Sequence, residues 1–302
     1  MNLRTILPVL ACMIVSVAFA VSQQEKDKPN DKDKPAELKI VNMERLNTEA
    51  DESYPSMGQE GLTFFFCRRS NQGDWDIYQA SRPALKGAFM NSQPVIEVNS
   101  KADDISPLAL RDGPGQYLFF ASKRGGGSFD IYFTRRLSLK ESFMKAAIAP
   151  LPPNIDTEAD EADPWITPNH LEMYFSRREN TKGWSIWRAN ASKPRDFTKV
   201  QQIAGLNGGF AHPTLAPDAR LMFLQGKLPD GRWGLFYSRR NTAGQWSGPT
   251  PLEELNDHSG KEGTLCPALS WDGTYLFFAS DRPGGKGGLD LYWLEVKQLP
   301  LK

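Results

Sequence analysis

The chain has 302 residues, 40% of them apolar and 11% aromatic, enough to bury the core of one large domain or two ordinary ones. Its 36 basic and 36 acidic residues cancel, which leaves no net field to draw it onto nucleic acid or an anionic membrane. The histidines (His170, His212, His258) lie far apart in sequence and no Cys-x-x-Cys pair occurs, so neither a metal nor another cofactor is expected.

Residues 1–20 read as a signal peptide: Arg4 supplies the charge, Ile6 to Val17 the apolar run, and Ala18-Phe19-Ala20 an A-x-A cleavage site. The run is too short to span a bilayer, so the mature chain is expected to lack a transmembrane segment and to be periplasmic or secreted. Val9-Leu10-Ala11-Cys12 loosely matches a lipobox, which leaves a lipoprotein anchored at Cys12 as the alternative. Residues 21–36 are dominated by Lys, Asp and Pro and read as a disordered linker that cannot bury enough surface to offset ordering.

A single β-propeller is expected over 37–302. Residues 38–46 form a first strand. Five repeats follow near 54–99, 106–152, 163–205, 212–255 and 266–296, each opened by a marker proline: Pro55, Pro107, Pro164, Pro213 and Pro267. Next in each repeat come a turn (plain Asp112-Gly113 and Asp272-Gly273 in two of them) and an apolar triplet. The triplets are Phe64-Phe65-Phe66, Leu118-Phe119-Phe120, Met173-Tyr174-Phe175, Leu221-Met222-Phe223 and Leu276-Phe277-Phe278. Three apolar side chains in succession mean a strand buried on both faces, as in stacked blades. A polar loop then leads to a third strand, as at Asp76-Ile77-Tyr78 and Asp290-Leu291-Tyr292. An inter-repeat piece ending in Leu-Asn supplies the fourth. The fifth repeat lacks that piece. Leu38 to Asn47 matches it, so the expected fold is all-β: a five-bladed β-propeller of four-stranded antiparallel blades, its ring closed by the N-terminal strand.

These residues resemble the TolB-type, WD40-like propeller repeat, the fifth repeat most closely through Asp272-Gly273, Ser280-Asp281-Arg282 and Asp290-Leu291-Tyr292. The resemblance covers about residues 38–296 and implies a periplasmic or surface protein, often one of an envelope complex.

Three polar columns converge on one end of the ring: acidic Glu52, Asp104 and Glu161; basic Arg69, Arg124, Arg178, Lys227 and Arg282; and Asp76, Asp130 and Asp290. Their recurrence marks them as a structural polar ring, because a catalytic residue normally appears once. Repeats three and four break the pattern, and Trp165, Trp184, Trp187, His212 and Trp233 gather there. These either fill inter-blade core or line a binding groove with aromatic platforms. Cys67 and Cys266 either pair or sit in the core as small apolar groups. The expected function is that of an exported, non-catalytic binding or scaffolding propeller with an envelope protein or glycan as partner. The alternative is a carbohydrate-active, glycoside hydrolase-like enzyme, which needs non-equivalent carboxylates around a deep pocket.

Overall fold

The computed structural model describes residues 38–179, 182–193, 196–256 and 258–301. The signal-peptide and linker readings, and Cys12, lie outside them.

Five four-stranded antiparallel sheets form the ring. Blade 1 consists of β2 (Glu52–Met57), β3 (Thr63–Arg69), β4 (Trp75–Ser81) and β5 (Met90–Pro94). Blade 2 holds β6 (Asp104–Asp112), β7 (Gly115–Ser122), β8 (Asp130–Arg136) and β9 (Ala149–Pro150). Blade 3 holds β10 (Asp160–Ile166), β11 (Glu172–Glu179), β12 (Gly183–Ala191) and β13 (Phe197–Gln202). Blade 4 holds β14 (Ala211–Leu215), β15 (Leu221–Lys227), β16 (Trp233–Arg239) and β17 (Thr250–Pro251), the last followed by the one-turn helix α1 (Glu253–Asn256). Blade 5 holds β18 (Thr264–Leu269), β19 (Tyr275–Ser280) and β20 (Asp290–Glu295), and takes its fourth strand from the N-terminal β1 (Val41–Asn42). Val41 pairs with Trp293 and Asn42 with Tyr292, so the ring closes as the sequence indicates.

The triplets bury both faces of each second strand. The middle residue of the blade 1 triplet, Phe65, packs with Leu118 and Phe120 of blade 2, while Phe64 and Phe66 pack with Phe277 and Leu291 of blade 5. All three phenylalanines are fully buried, each stabilising the fold by about 2–3 kcal/mol. In blade 4 the register differs from expectation by one residue. Phe223 faces Thr214 as Phe65 faces Ser56, so the triplet is Met222-Phe223-Leu224.

Each innermost strand carries a β-bulge at its marker proline, between Ser53 and Ser56, Ile105 and Leu108, Ala162 and Trp165, Ala211 and Thr214, and Leu265 and Ala268. Proline fits a bulge because it has no N–H to lose from the ladder. The residue before it is left-handed in every blade: Tyr54, Ser106, Asp163, His212 and Cys266 have φ between 52° and 57°. For residues other than glycine this costs about 1–2 kcal/mol apiece, and the fold bears that cost five times at one place.

The Leu-Asn ending is a hydrogen-bonding device. Asn47 takes the N–H of Leu291 on Oδ1 (2.8 Å) and donates Nδ2 to the same residue's carbonyl (3.0 Å). Asn99 does the same to Ile77, and Asn256 to Leu235. The blade 2 counterpart is Asp156, whose Oδ1 accepts Ile131 N–H at 3.1 Å.

Candidate functional site at the propeller axis

The five left-handed residues meet around the axis, one from each blade. Ser106 Oγ donates to Asp163 Oδ1 at 2.6 Å, and His212 Nδ1 lies 3.0 Å from the same oxygen. The backbone N–H of His212 donates to Ser176 Oγ at 2.8 Å, which fixes the ring's root. Cys266 borders His212, and Ser53 Oγ donates to Cys266 Sγ at 3.3 Å. The Tyr54 ring lies tilted 5.6 Å from the His212 ring and edge-on to Trp75 at 5.8 Å.

Burial alone would raise the Asp163 carboxyl, but the His212 imidazolium and the Ser106 and Ser176 hydroxyls overcome it and hold the carboxyl below the usual range. Burial likewise opposes charge on His212, and the Asp163 carboxylate reverses this, lifting the imidazole to about 10. At neutral pH the pair is a carboxylate and an imidazolium. Burial, with Cys266 and Asp163 beside it, holds the Tyr54 phenol protonated.

Free space along the axis amounts to about 40 Å3, room for a water or two and not for a sugar ring. At the turn end Trp271 stacks on Trp165 (6.1 Å, 20°) and donates Nε1 to Met57 O at 2.8 Å. At the opposite end of the ring Trp75, Phe129, Trp184 and Trp233 stand at or next to the start of the third strands of four blades. A cation lies over each: Arg69 at 4.7 Å, Lys123 at 4.5 Å, Arg178 at 5.2 Å and Lys227 at 3.8 Å.

The structure distributes the other sequence-derived residues as follows. Glu52 pairs with Arg68 (2.7 Å), Asp104 with Arg124 (2.6 Å) and Glu161 with Arg177 (2.6 Å). Arg69 and Arg178 instead pair at the rim with Asp51 and Asp160. Arg282 keeps the position of these guanidinium groups without an acid, donating to Leu255 O at 3.0 Å and Thr264 Oγ1 at 3.3 Å. The third column does not join the basic one. Asp290 accepts the backbone N–H of Lys286 and of Gly287, Asp76 is raised by burial, and Asp130 lies beside Asp156 and Glu161. Those three carboxylates place oxygens within 4.8 Å of one another, the one grouping among the described residues with the spacing of metal ligands.

The expected groove of Trp165, Trp184, Trp187, His212 and Trp233 is not a single surface. Trp165 is at the closed end of the axis, Trp187 supports the Arg177 guanidinium at 4.4 Å as Tyr78 supports Arg68, and Trp184 and Trp233 belong to the rim. Of the five, only Trp165 and His212 line the axis. The two cysteines are free and buried. Sequence reasoning passed over Tyr54, Ser106, Asp163 and Cys266, although a signal was there. The residue before the marker proline is reactive or polar in every repeat and different in each.

Comparison of the sequence with family models and with curated proteins finds no match. Solved structures do match in fold. One is a GH43_1 enzyme from Xanthomonas citri complexed with xylotriose, 14% identical, covering 85% of this chain and 90% of that one at a TM-score of 0.59. Another is the α-L-arabinofuranosidase of Podospora anserina in complex with cellotriose, 10% identical over 88% of this chain and 93% of that one, TM-score 0.56. The arabinanase of Bacillus subtilis is 13% identical over 82% and 95%, TM-score 0.55. These findings correct two expectations. The TolB-type resemblance does not hold, because the repeat signature of proline, turn and aromatic strand reports what a four-stranded blade needs and not a lineage. The expectation of a non-catalytic scaffold likewise loses its support, since the solved propellers named here are glycoside hydrolases. Among the described residues no helix is long and apolar enough to cross a membrane.

Proposed function

We propose that the chain is a carbohydrate-active, glycoside hydrolase-like propeller that engages a glycan at the open mouth of the axis. The observation that carries this reading is the set of five non-repeating polar side chains at the axis, at its centre a carboxylate and an imidazolium 3.0 Å apart. The solved propellers of the same fold support it, two of them complexed with xylotriose or cellotriose.

The chemistry follows from the protonation states. Cleavage of a glycosidic bond needs a proton for the leaving oxygen and a negative group for the positive charge that grows on the sugar, commonly two carboxyls ~5–10 Å apart. Here Asp163 is the carboxylate among the five, and the protonated partner is His212. His212 gives its proton to the leaving oxygen, Asp163 holds the imidazole charged and faces the developing cation, and a water adds to the anomeric carbon as the bond to the leaving oxygen breaks, its proton returning to His212. Narrowness of the axis keeps the polymer outside, so the bond attacked is one presented at the mouth.

The test is release of sugar from arabinan, xylan and aryl arabinofuranosides and xylosides. Turnover should fall by about 100-fold or more in Asp163→Asn and in His212→Gln, with unchanged circular dichroism. It should hold from below the usual carboxylate range up to about 10, failing below as Asp163 protonates and above as His212 loses its proton. A wild-type chain that neither cleaves these substrates nor binds xylotriose would overturn the reading.

A further inference from the structure

A second cavity lies in the cleft between blades 5 and 1, away from the axis, with a free volume of about 640 Å3, within the range of small-molecule sites. Its walls are apolar and aromatic, with Trp293, Tyr275 and Phe89 prominent, and Arg45, Arg82 and Lys86 stand on its edge. Trp293 and Tyr275 meet at right angles 5.2 Å apart and form a corner for a flat body.

The equivalent cleft between blades 1 and 2 shows what is missing here. There Arg136 lies over Phe143 at 4.6 Å and donates to Gln79 Oε1 (3.0 Å) and Gln116 Oε1 (2.5 Å), and Gln116 donates to Glu60 at 2.6 Å. A polar network therefore fills that cleft. By strand register Arg82 is the counterpart of Arg136, and it lies over Phe89 at 4.5 Å in the same way. The counterparts of the two glutamines are Leu62 and Trp293, neither of which offers a side-chain acceptor. Arg82 bonds the carbonyls of Gly61 and Gly87 and the sulfur of Met57, Arg45 bonds the sulfur of Met90, and no carboxylate of the described residues pairs with Arg45, Arg82 or Lys86. Three cations thus border an apolar cavity against one acidic lining residue, Glu44, which pairs with none of them, while Asp272 acts on Arg82 only from beyond ion-pair distance.

We propose that this cleft binds a small organic anion with a flat apolar body. The anionic group meets Arg82, Lys86 and Arg45, and the body lies in the corner of Trp293 and Tyr275. The site is separate from the axial residues and does not depend on what they do.

The folded chain is titrated with anilinonaphthalene sulfonate and, in parallel, with its uncharged parent phenylnaphthylamine, reading dye fluorescence. One site is expected, about tenfold or more tighter for the sulfonate. Replacing the two exposed cations together, Arg45→Gln with Lys86→Gln, should weaken the sulfonate about fivefold or more and leave the neutral dye unchanged. The pair Leu62→Gln and Trp293→Gln restores both amides and should abolish binding. Equal affinity for the two dyes, or an unchanged titration in the Arg45/Lys86 variant, overturns the proposal. That variant alters surface residues only, so the test stands even if Trp293→Gln unfolds the blade.

Discussion

Asp156 shows how much one atom changes at a repeated position. Its counterparts Asn47, Asn99 and Asn256 each give an amide N–H to a neighbouring strand carbonyl, and the Oδ2 of Asp156 is buried at that place with no partner. Burial pushes its carboxyl up to about 7, opposed by the Ile131 N–H and reinforced by Asp130 and Glu161. A carboxyl that holds its proton can donate as the amide does. Because the folded state binds the proton more tightly than the unfolded one, stability falls as pH rises from about 4 to about 7 and stays low above. Asp156→Asn should therefore raise stability by about 1–2 kcal/mol at pH near 8, after allowance for solvent screening, and give nothing at pH near 4. Urea titrations at the two pH values check this; an equal gain at both removes the protonation argument.

Among elements, blade 4 is a natural double substitution. Blades 1 and 3 join first and second strands by Glu52–Arg68 and Glu161–Arg177. In blade 4 the same positions hold Phe210 and Gly226. The Phe210 ring lies over the bare Gly226 backbone, where a Cβ would come within 2.7 Å, and packs edge-on against Phe236 at 5.3 Å. An aromatic ring thus fills the space of a guanidinium. Arg177→Gly alone strands Glu161, which is fully buried, and should cost about 3–5 kcal/mol. Adding Glu161→Phe should return most of that loss, as a buried ion pair and a packed apolar group are often near equal in net stability. Chemical denaturation of the two singles and the double measures the coupling, and simple additivity would refute the equivalence. The same pairs show why the basic column was read one residue out. Arg68 and Arg177 reach their acids from the paired strand position, whereas Arg124 and Arg282 come from two residues further on and fold back over Ser122 and Ser280. Sequence spacing could not separate two routes to one guanidinium position. The ring itself was legible, since prolines, turns and apolar triplets are local demands repeated five times. The axial site was not, because recurrence draws the eye to what is shared, and Tyr54, Ser106, Asp163, His212 and Cys266 share only backbone geometry.

At the scale of the whole molecule, β1 is short but heavily anchored. Leu46 is 1% exposed, Asn47 bonds both the N–H and the carbonyl of Leu291, and Lys286 donates to the Asn47 carbonyl. Deleting residues 38–47 removes these together and should lower stability by about 4 kcal/mol or more, a fall of about 10 °C in melting temperature. Melting at the wild-type temperature would mean that the ring does not need its clasp. The contacts of Asn47 with Leu291 span 244 residues of chain. Such a pairing raises contact order, and the entropy of bringing distant segments together is spent before the contact rewards it. Blades made first then wait with an open seam until the last strand arrives, so the closing of blade 5 is expected to be the slow step of folding. Joining the two ends and cutting the chain between two other blades would move that seam and, with it, the step that sets the rate.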